Sequence, residues 1–310
     1  MTASKTPACR LCGADASRQS VRAPHVFGGS ETHKFWECAA CGGIYLFPFL
    51  TQEEEQRFYA KEFEKFMATR SGAERDWSDA ERHIATNQDQ LKRRWRFLAP
   101  HFAAGKSVLE IGCSSGFMLD AFRAAGMTCV GVEPSNVFID YLRNKDVAVF
   151  TSLDELEAGA PRQFDLITHF FVLEHIADPY AFFRRQMALL KPGGVIVAEV
   201  PSATDPLTSL YSIPAFERFY WSIAHHYYYT PRSLSAVLDK LGLRYRLLPE
   251  QRYDLSNHIV WMTEGKPGGQ NRFKEVFTPA LVDKYREDLK TAWQCDTIIL
   301  EVFRDSAQAV

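Results

Sequence analysis

No apolar stretch in this 310-residue chain approaches the roughly 20 residues that a bilayer-spanning helix needs. Residues 1–7 contain no apolar core, which excludes a secretory signal of the usual form. Charge of one sign is also missing. Thirty-six Lys and Arg against 38 Asp and Glu leave a formal charge of −2, so no global field draws the chain to nucleic acid or anionic lipid. Internal repeats at solenoid or propeller periods are absent. These absences point to a cytoplasmic protein without a membrane span. What is present suffices for one large domain and a small one: 46% of residues are apolar and 24% charged, a balance that packs a core without disulfides. A cytosolic chain keeps its thiols reduced, so the seven cysteines need another explanation.

Four of them lie in two CxxC pairs, Cys9–Cys12 and Cys38–Cys41, each followed by glycine (Gly13; Gly42 and Gly43). Two intervening residues let both thiolates of a tight turn face one ion, and glycine supplies the positive φ the turn requires. The spacing predicts a structural zinc held by four sulfurs, with no open coordination position for catalysis. The 25 residues between the pairs are expected to form the β-hairpin of a zinc ribbon over residues 1–47. Residues 1–50 carry five basic residues against three acids, too weak an excess for a nucleic-acid surface.

Residues 48–98 read as a helical linker or lid. Thr51 and Glu54 form a capping box, and Phe58, Tyr59, Phe63, Phe66 and Met67 recur at helical spacing. A second amphipathic stretch runs from about Trp77 to Leu98 and contains the basic run Lys92–Arg96, either a solvated face or a site for an acceptor phosphate. From residue 99 to 310 strand and helix patterns alternate. Strands are expected at 107–111, 128–132, 147–150, 164–170 and 194–201, and helices at 116–125, 135–145, 179–190 and 231–241. Such alternation implies a doubly wound, mostly parallel α/β sheet. Segments 244–250, 258–262 and 297–303 all look like strands of an antiparallel edge, and 265–293, with a helix near 279–293, is expected as an insertion.

The turn Glu110-Ile-Gly-Cys-Ser-Ser-Gly116 ends a strand and opens a helix. Gly112 allows the tight turn and Gly116 lets the helix approach the strand, which brings main-chain N–H groups to a ligand at the helix N-terminus. Glu133 ends the next strand, 21 residues after Gly112, where a carboxylate accepts from both ribose hydroxyls. That geometry suits either a nicotinamide dinucleotide or S-adenosylmethionine. Glu110, two residues before the first glycine, disfavours a pyrophosphate and suits the ammonium of a methionine moiety.

Leu109–Gly116, Gly131–Pro134, Phe164–His169, Val172–His175 and Leu190–Gly194 together resemble, in order, the motifs of class I S-adenosylmethionine-dependent methyltransferases, with Ser114 standing where many members have a glycine. The resemblance implies a Rossmann-like fold with a seven-stranded sheet. It also implies contacts to the methionine part from Glu110, Gly112, Ser114 and Gly116, and to the ribose from Glu133 and Pro134. Ser152 and Leu153 would lie by the adenine, and His169 and Phe170 on the methyl-donor side. With the cysteine module, the 257–262 and 265–269 segments resemble a narrower group, bacterial methyltransferases of surface glycans and deoxysugars.

An in-line displacement at a sulfonium methyl asks mainly for alignment, and a hydroxyl acceptor adds the need for a base. His225, five residues before Thr230, occupies a position that often carries an acceptor-facing histidine in related enzymes. His175 is the other candidate, and His226 a substitute for His225. Ala224 stands where the deoxysugar C-methyltransferases carry the Glu of a Glu-His pair, which favours O-methylation. The aromatic run from Phe216 to Tyr229 reads either as a lid that stacks on sugar faces or as packing on the sheet edge. The expected activity is methyl transfer to a sugar hydroxyl, on a nucleotide sugar or glycan. An RNA methyltransferase gripping its substrate by the ribbon, a sugar C-methyltransferase and a non-enzymatic scaffold are the alternatives.

Overall fold

The computed structural model describes residues 6–58, 66, 79–159 and 162–306. Tyr59, Phe63, Met67 and Trp77 lie outside them. Two sheets organise the chain. In the first, β1 (Gln19–Ala23), β2 (Lys34–Cys38) and β3 (Ile44–Phe47) form an antiparallel meander. The hairpin expected between the two CxxC pairs is therefore present. Further along the chain come β4 (Ser107–Ile111), β5 (Thr128–Val132), β6 (Ala148–Phe150), β7 (Phe164–Phe170), β8 (Leu190–Pro201), β9 (Tyr227–Tyr228), β10 (Arg244–Glu250) and β11 (Thr297–Phe303).

The second sheet has the order β10-β11-β8-β7-β4-β5-β6. Strands β4 to β8 within it run parallel, and β11 and β10 close one edge antiparallel. This is the mostly parallel α/β sheet that the alternating pattern implied, with the seven strands that the family resemblance implied. Side chains alternate between faces, as the pleat requires. Leu109, Ile167, Ile196 and Ile298 enter the core layer that also contains Cys9, Leu11, Cys38, Cys41 and Tyr45. Val108, Leu166, Val197 and Ile299 enter the opposite layer, beneath Leu98, Phe117, Phe122 and Leu142.

The edge differs from expectation in one element. Residues 258–262 belong to a helix, Leu255–Glu264, and not to a strand. Asp254 caps it by accepting the Asn257 N–H, and Gly265 ends it at φ +64. Ser256, Asn257, Val260 and Trp261 are buried, a spacing that repeats along one helical face. A short apolar run does not separate strand from buried helix, and here the flanking Asp and Gly decide. The excursion between β10 and β11 thus carries two helices, Leu255–Glu264 and Pro279–Thr291.

In the linker, Thr51 and Glu54 make the expected capping box at the start of helix Gln52–Arg57. Helix Gln88–Leu98 lays Leu91, Arg94 and Leu98 towards the sheet. Its basic run divides: Lys92 and Arg96 are exposed, as a solvated face would have them, whereas Arg93 and Arg94 turn inward to a carboxylate and are not a free phosphate site. Arg93 Nη2 and Arg94 Nε reach Glu199 Oε2 on β8 at 2.8 and 3.1 Å, and Arg96 pairs with Glu250. The aromatic run is packing: Phe216, Tyr220, Trp221 and Tyr228 are buried together with Phe35 of β2, and Phe219 lies against them. No described helix is long and apolar enough to cross a membrane.

Glu199 is fully buried, and burial alone would raise its carboxyl; Arg93 and Arg94 outweigh that and hold it at about 2. Its folded value lies below the ordinary 4.5, so the stabilisation is complete above that pH and is lost as pH falls towards 2. Removing one partner of a buried pair costs about 3–5 kcal/mol, so Glu199→Gln is expected to lose that much in urea unfolding at pH 7. The difference between wild type and variant should shrink between pH 4.5 and 2. A variant as stable as wild type at neutral pH would contradict this account of the helix.

Candidate active site

The turn after β4 holds three residues in the left-handed region: Gly112 at φ +72, Ser114 at +50 and Gly116 at +76. Serine therefore keeps the loop conformation at the middle position. A Cβ on Gly112 would stand 2.6 Å from Val172 Cγ2, and one on Gly116 2.5 Å from Leu142 Cδ2. Gly112 N and Cys113 N both donate to the Val132 carbonyl of β5. Across this seam, Glu133 accepts from Ser114 N at 2.7 Å and from Ser135 N at 2.9 Å. Pro134 between them has no N–H to give and is exposed. Glu133 is buried, which raises its carboxyl, and the two N–H bonds work against that rise.

Glu110 sits on β4 opposite Thr168 of β7. Its Oε2 and the Thr168 Oγ1 are buried without a hydrogen-bond partner among the described residues. Burial pushes the Glu110 carboxyl well up, and the nearby Arg94 charge opposes this. Arg94 places its guanidinium 4.2 Å from the Phe170 ring centroid, so it stands beside the end of β7. In the sequence it counts only as a member of the basic run Lys92–Arg96. Its signal was a buried spacing, Leu91-Arg94-Leu98, that puts a cation on an apolar helical stripe. Ser115 is also buried, its Oγ 2.8 Å from Nδ1 of His83 on helix Ala80–Thr86, another contact not foreseen.

Other expected residues take plainer places. Ser152 caps helix Leu153–Ala158 by accepting the Glu155 N–H at 3.1 Å, and Leu153 enters the core. His169 packs its ring against Phe182 at 5.2 Å, with neither ring nitrogen hydrogen-bonded among the described residues. Burial holds it neutral, at about 3.

The histidines converge. His175 ends a 3-10 turn after β7, and its Nδ1 lies 2.7 Å from the Ala224 carbonyl. His225 meets it edge to face at 4.7 Å between ring centroids. Ligand atoms of Glu174, His175 and His225 all lie within 4.8 Å of one another. The acid that position 224 lacks is thus delivered from Glu174, far away in sequence. His226 is turned elsewhere: its Nε2 pairs with Glu55 of helix Gln52–Arg57.

The four cysteines also converge, with their Sγ atoms within 4.8 Å of one another. Cys9 and Cys41 are 3.7 Å apart, and Cys12 and Cys38 3.6 Å. This cluster is tied to the histidine loop. Strand β9, two residues after His225, pairs antiparallel with β3 and completes the first sheet. Leu46 N donates to the His226 carbonyl at 3.0 Å, and Thr230 Oγ1 donates to the Gly42 carbonyl at 3.1 Å.

The glycine-lined turn, the carboxylate one strand over and the histidine pair beyond β7 all lie at the carboxyl end of the parallel strands, where open α/β sheets bind their ligands. Residues 82–248 match the family described as Methyltransferase domain, more than half of the chain, and the chain belongs to that family. It is a methyltransferase. The match leaves the cysteine module outside. The ubiquinone biosynthesis O-methyltransferase of Xanthomonas euvesicatoria pv. vesicatoria (strain 85-10) is 28% identical over 206 residues, 63% of this chain and 84% of that protein. That of Xanthomonas axonopodis pv. citri (strain 306) is 30% identical over 209 residues, with the same coverage. A chain in the solved complex between the Haloferax volcanii Trm112 methyltransferase activator and its methyltransferase superposes with a TM-score of 0.51 at 15% identity, over 74% of this chain and 98% of that one. At that identity the likeness concerns the fold alone.

Left-handed backbone costs a non-glycine residue roughly 1–2 kcal/mol, and overpacking adds a further 1–3. Gly116→Ala is therefore expected to lower unfolding free energy by about 2–5 kcal/mol in denaturant titration. An alanine variant as stable as wild type would show that the turn does not need its glycine.

Proposed function

We propose that the chain transfers a methyl group from S-adenosylmethionine to a hydroxyl of a small acceptor, with His225 as the base. The observation that carries this reading is the pair of buried carboxylates, Glu110 and Glu133, at the ends of adjacent strands and flanking one glycine turn.

The residues fit the cofactor. Glu110 Oε2 is a buried acceptor left without a donor, which a methionine ammonium would supply. Arg94 Nε is spent on Glu199, and the outer guanidinium nitrogens suit a carboxylate. Glu133 would take the ribose hydroxyls, exchanging one or both of its bonds to the loops. Gly112, Ser114 and Gly116 would face the ligand with main chain. Pro134, Ser152, Leu153, His169 and Phe170 stand as weaker members of the set, since Ser152 and His169 have structural roles of their own. When bound, S-adenosylmethionine supplies an electrophilic methyl carbon on a sulfonium.

For the chain's own part, His225 would accept the acceptor's proton at a ring nitrogen. His175, anchored through Nδ1 to the Ala224 carbonyl, fixes the ring it packs against, and the Glu174 carboxylate stabilises the charge that develops. The relatives' names support O-methylation of a hydroxyl in ubiquinone biosynthesis; the sugar hydroxyl remains the second acceptor to be assayed. Buried rings in place of a stacking lid withdraw one argument for a sugar.

The cysteine cluster fits a structural zinc. Zn–S bonds of about 2.3 Å give a tetrahedron with sulfur edges of about 3.8 Å, close to the separations of both pairs. The organisation proposed is a ribbon over 1–47, a helical linker over 48–98 and a methyltransferase unit over 99–310. Strand β9 belongs to the third and completes the sheet of the first.

Calorimetry should show S-adenosylhomocysteine binding to wild type and at least tenfold weaker binding to Glu133→Ala; equal affinities would remove Glu133 from the site. His225→Ala should bind the cofactor product normally and turn over at least a hundredfold more slowly, the scale of general base catalysis. Full activity on phenolic and sugar hydroxyl acceptors would exclude it as the base. Atomic absorption should find one zinc per chain and its loss in Cys38→Ser; a metal-free wild type would refute the ribbon's role.

A further inference from the structure

One cation beside the site has no part in this scheme. Arg252 follows β10 and opens the excursion that leads to β11. Its guanidinium carbon lies 4.5 Å from the centroid of the Phe171 ring. Phe171 is the first residue after β7 and holds φ +58, where bulky side chains rarely sit; such strain clusters at functional sites. The Arg94 guanidinium carbon lies 5.6 Å from the same ring. Arg252 therefore stands at the carboxyl end of β7, where open parallel sheets bind their ligands.

Its donors are largely unspent. Asp296 is its partner, but the two carboxylate oxygens already accept the main-chain N–H groups of Arg252 and Tyr253, at 3.0 and 3.1 Å. The guanidinium approaches only to 3.5 Å, through Nε. Among the described residues the guanidinium makes no hydrogen bond, although Nε is buried. A buried N–H donor without an acceptor is unfavourable, so the unmet Nε, beside outer nitrogens that also carry no hydrogen bond, leaves room for an oxyanion partner. The side chain is 19% exposed, which leaves it a route to solvent. Two further carboxyls act on it from a distance: Glu199, whose hydrogen bonds go to Arg93 and Arg94, and Asp205, which burial and Asp296 push up to about 8.

We propose that Arg252 receives an anionic group of the methyl acceptor, a carboxylate or a phosphate, as a bidentate partner beside Phe171. The planar fork matches either oxyanion in a way that lysine does not. The excursion between β10 and β11 then acts as the element that selects the acceptor, and the hydroxyl to be methylated lies on the same molecule as the anion. The proposal rests on the reading of the site given above.

The test titrates benzoate and inorganic pyrophosphate separately, by calorimetry, into the full chain saturated with S-adenosylhomocysteine. One of the two is expected to bind wild type, its identity deciding carboxylate or phosphate. Arg252→Gln should bind it at least tenfold more weakly, and Arg252→Lys, which keeps the charge against Asp296, should fall between. Equal affinity in wild type and Arg252→Gln, or no binding of either anion to wild type, would overturn the proposal. S-adenosylhomocysteine affinity, measured in parallel, reports the integrity of the sheet end. Should Arg252→Gln lose it, the lysine variant decides, and lysine binding the anion as tightly as wild type would also overturn the proposal. Failure to methylate any hydroxyl acceptor would defeat the functional reading instead, and the anion titration would still judge Arg252.

Discussion

The carboxylate of Glu133 ties together the two turns on which the site depends. One oxygen takes the N–H of Ser114 after β4, and the other takes the N–H of Ser135 after β5. A buried carboxylate is stable only where donors meet it, and here the donors are main-chain groups of two ligand-facing loops. The left-handed backbone at Gly112, Ser114 and Gly116 follows from the same constraint, because the chain must reverse within a few residues to present those groups. Under the proposed function, ligand binding at this crevice would exchange donors on a carboxylate already held in place.

A second constraint joins the cysteine module to the histidines. The first sheet is incomplete without β9, and β9 begins two residues after His225. Through it, and through the carbonyls of His226 and Gly42, a metal-sized cluster of four sulfurs is mechanically continuous with the loop that faces His175. The helix from Gln52 to Arg57 joins the same assembly through the Glu55 pair with His226. The module's place in the structure is thus that of a brace for the loop carrying His225, whatever else it contacts.

Much of this was legible in the residue pattern, and the failures have physical causes. The parallel strands were visible because each is a short apolar run bounded by glycine or a helix cap, and the two carboxylates because they end such runs. The 258–262 segment was misread because a buried helix and a buried strand are equally apolar, and the deciding signals were Asp254 and Gly265. The arginines at 93 and 94 were misread because their partner, Glu199, lies more than 100 residues away. Glu174 could not be joined to His225 from sequence, since the two lie far apart along the chain and meet only through the fold. His169 shows the opposite limit. It sits where strand periodicity put it, on a core face, and its chemistry is that of a neutral, packed ring.

The most direct test of the central claim is a pair of calorimetric titrations of the intact chain, one with S-adenosylhomocysteine and one with an oxidised nicotinamide dinucleotide. The account predicts saturable one-to-one binding of the first and no heat of binding from the second. Binding of the dinucleotide, or silence with both, would contradict it.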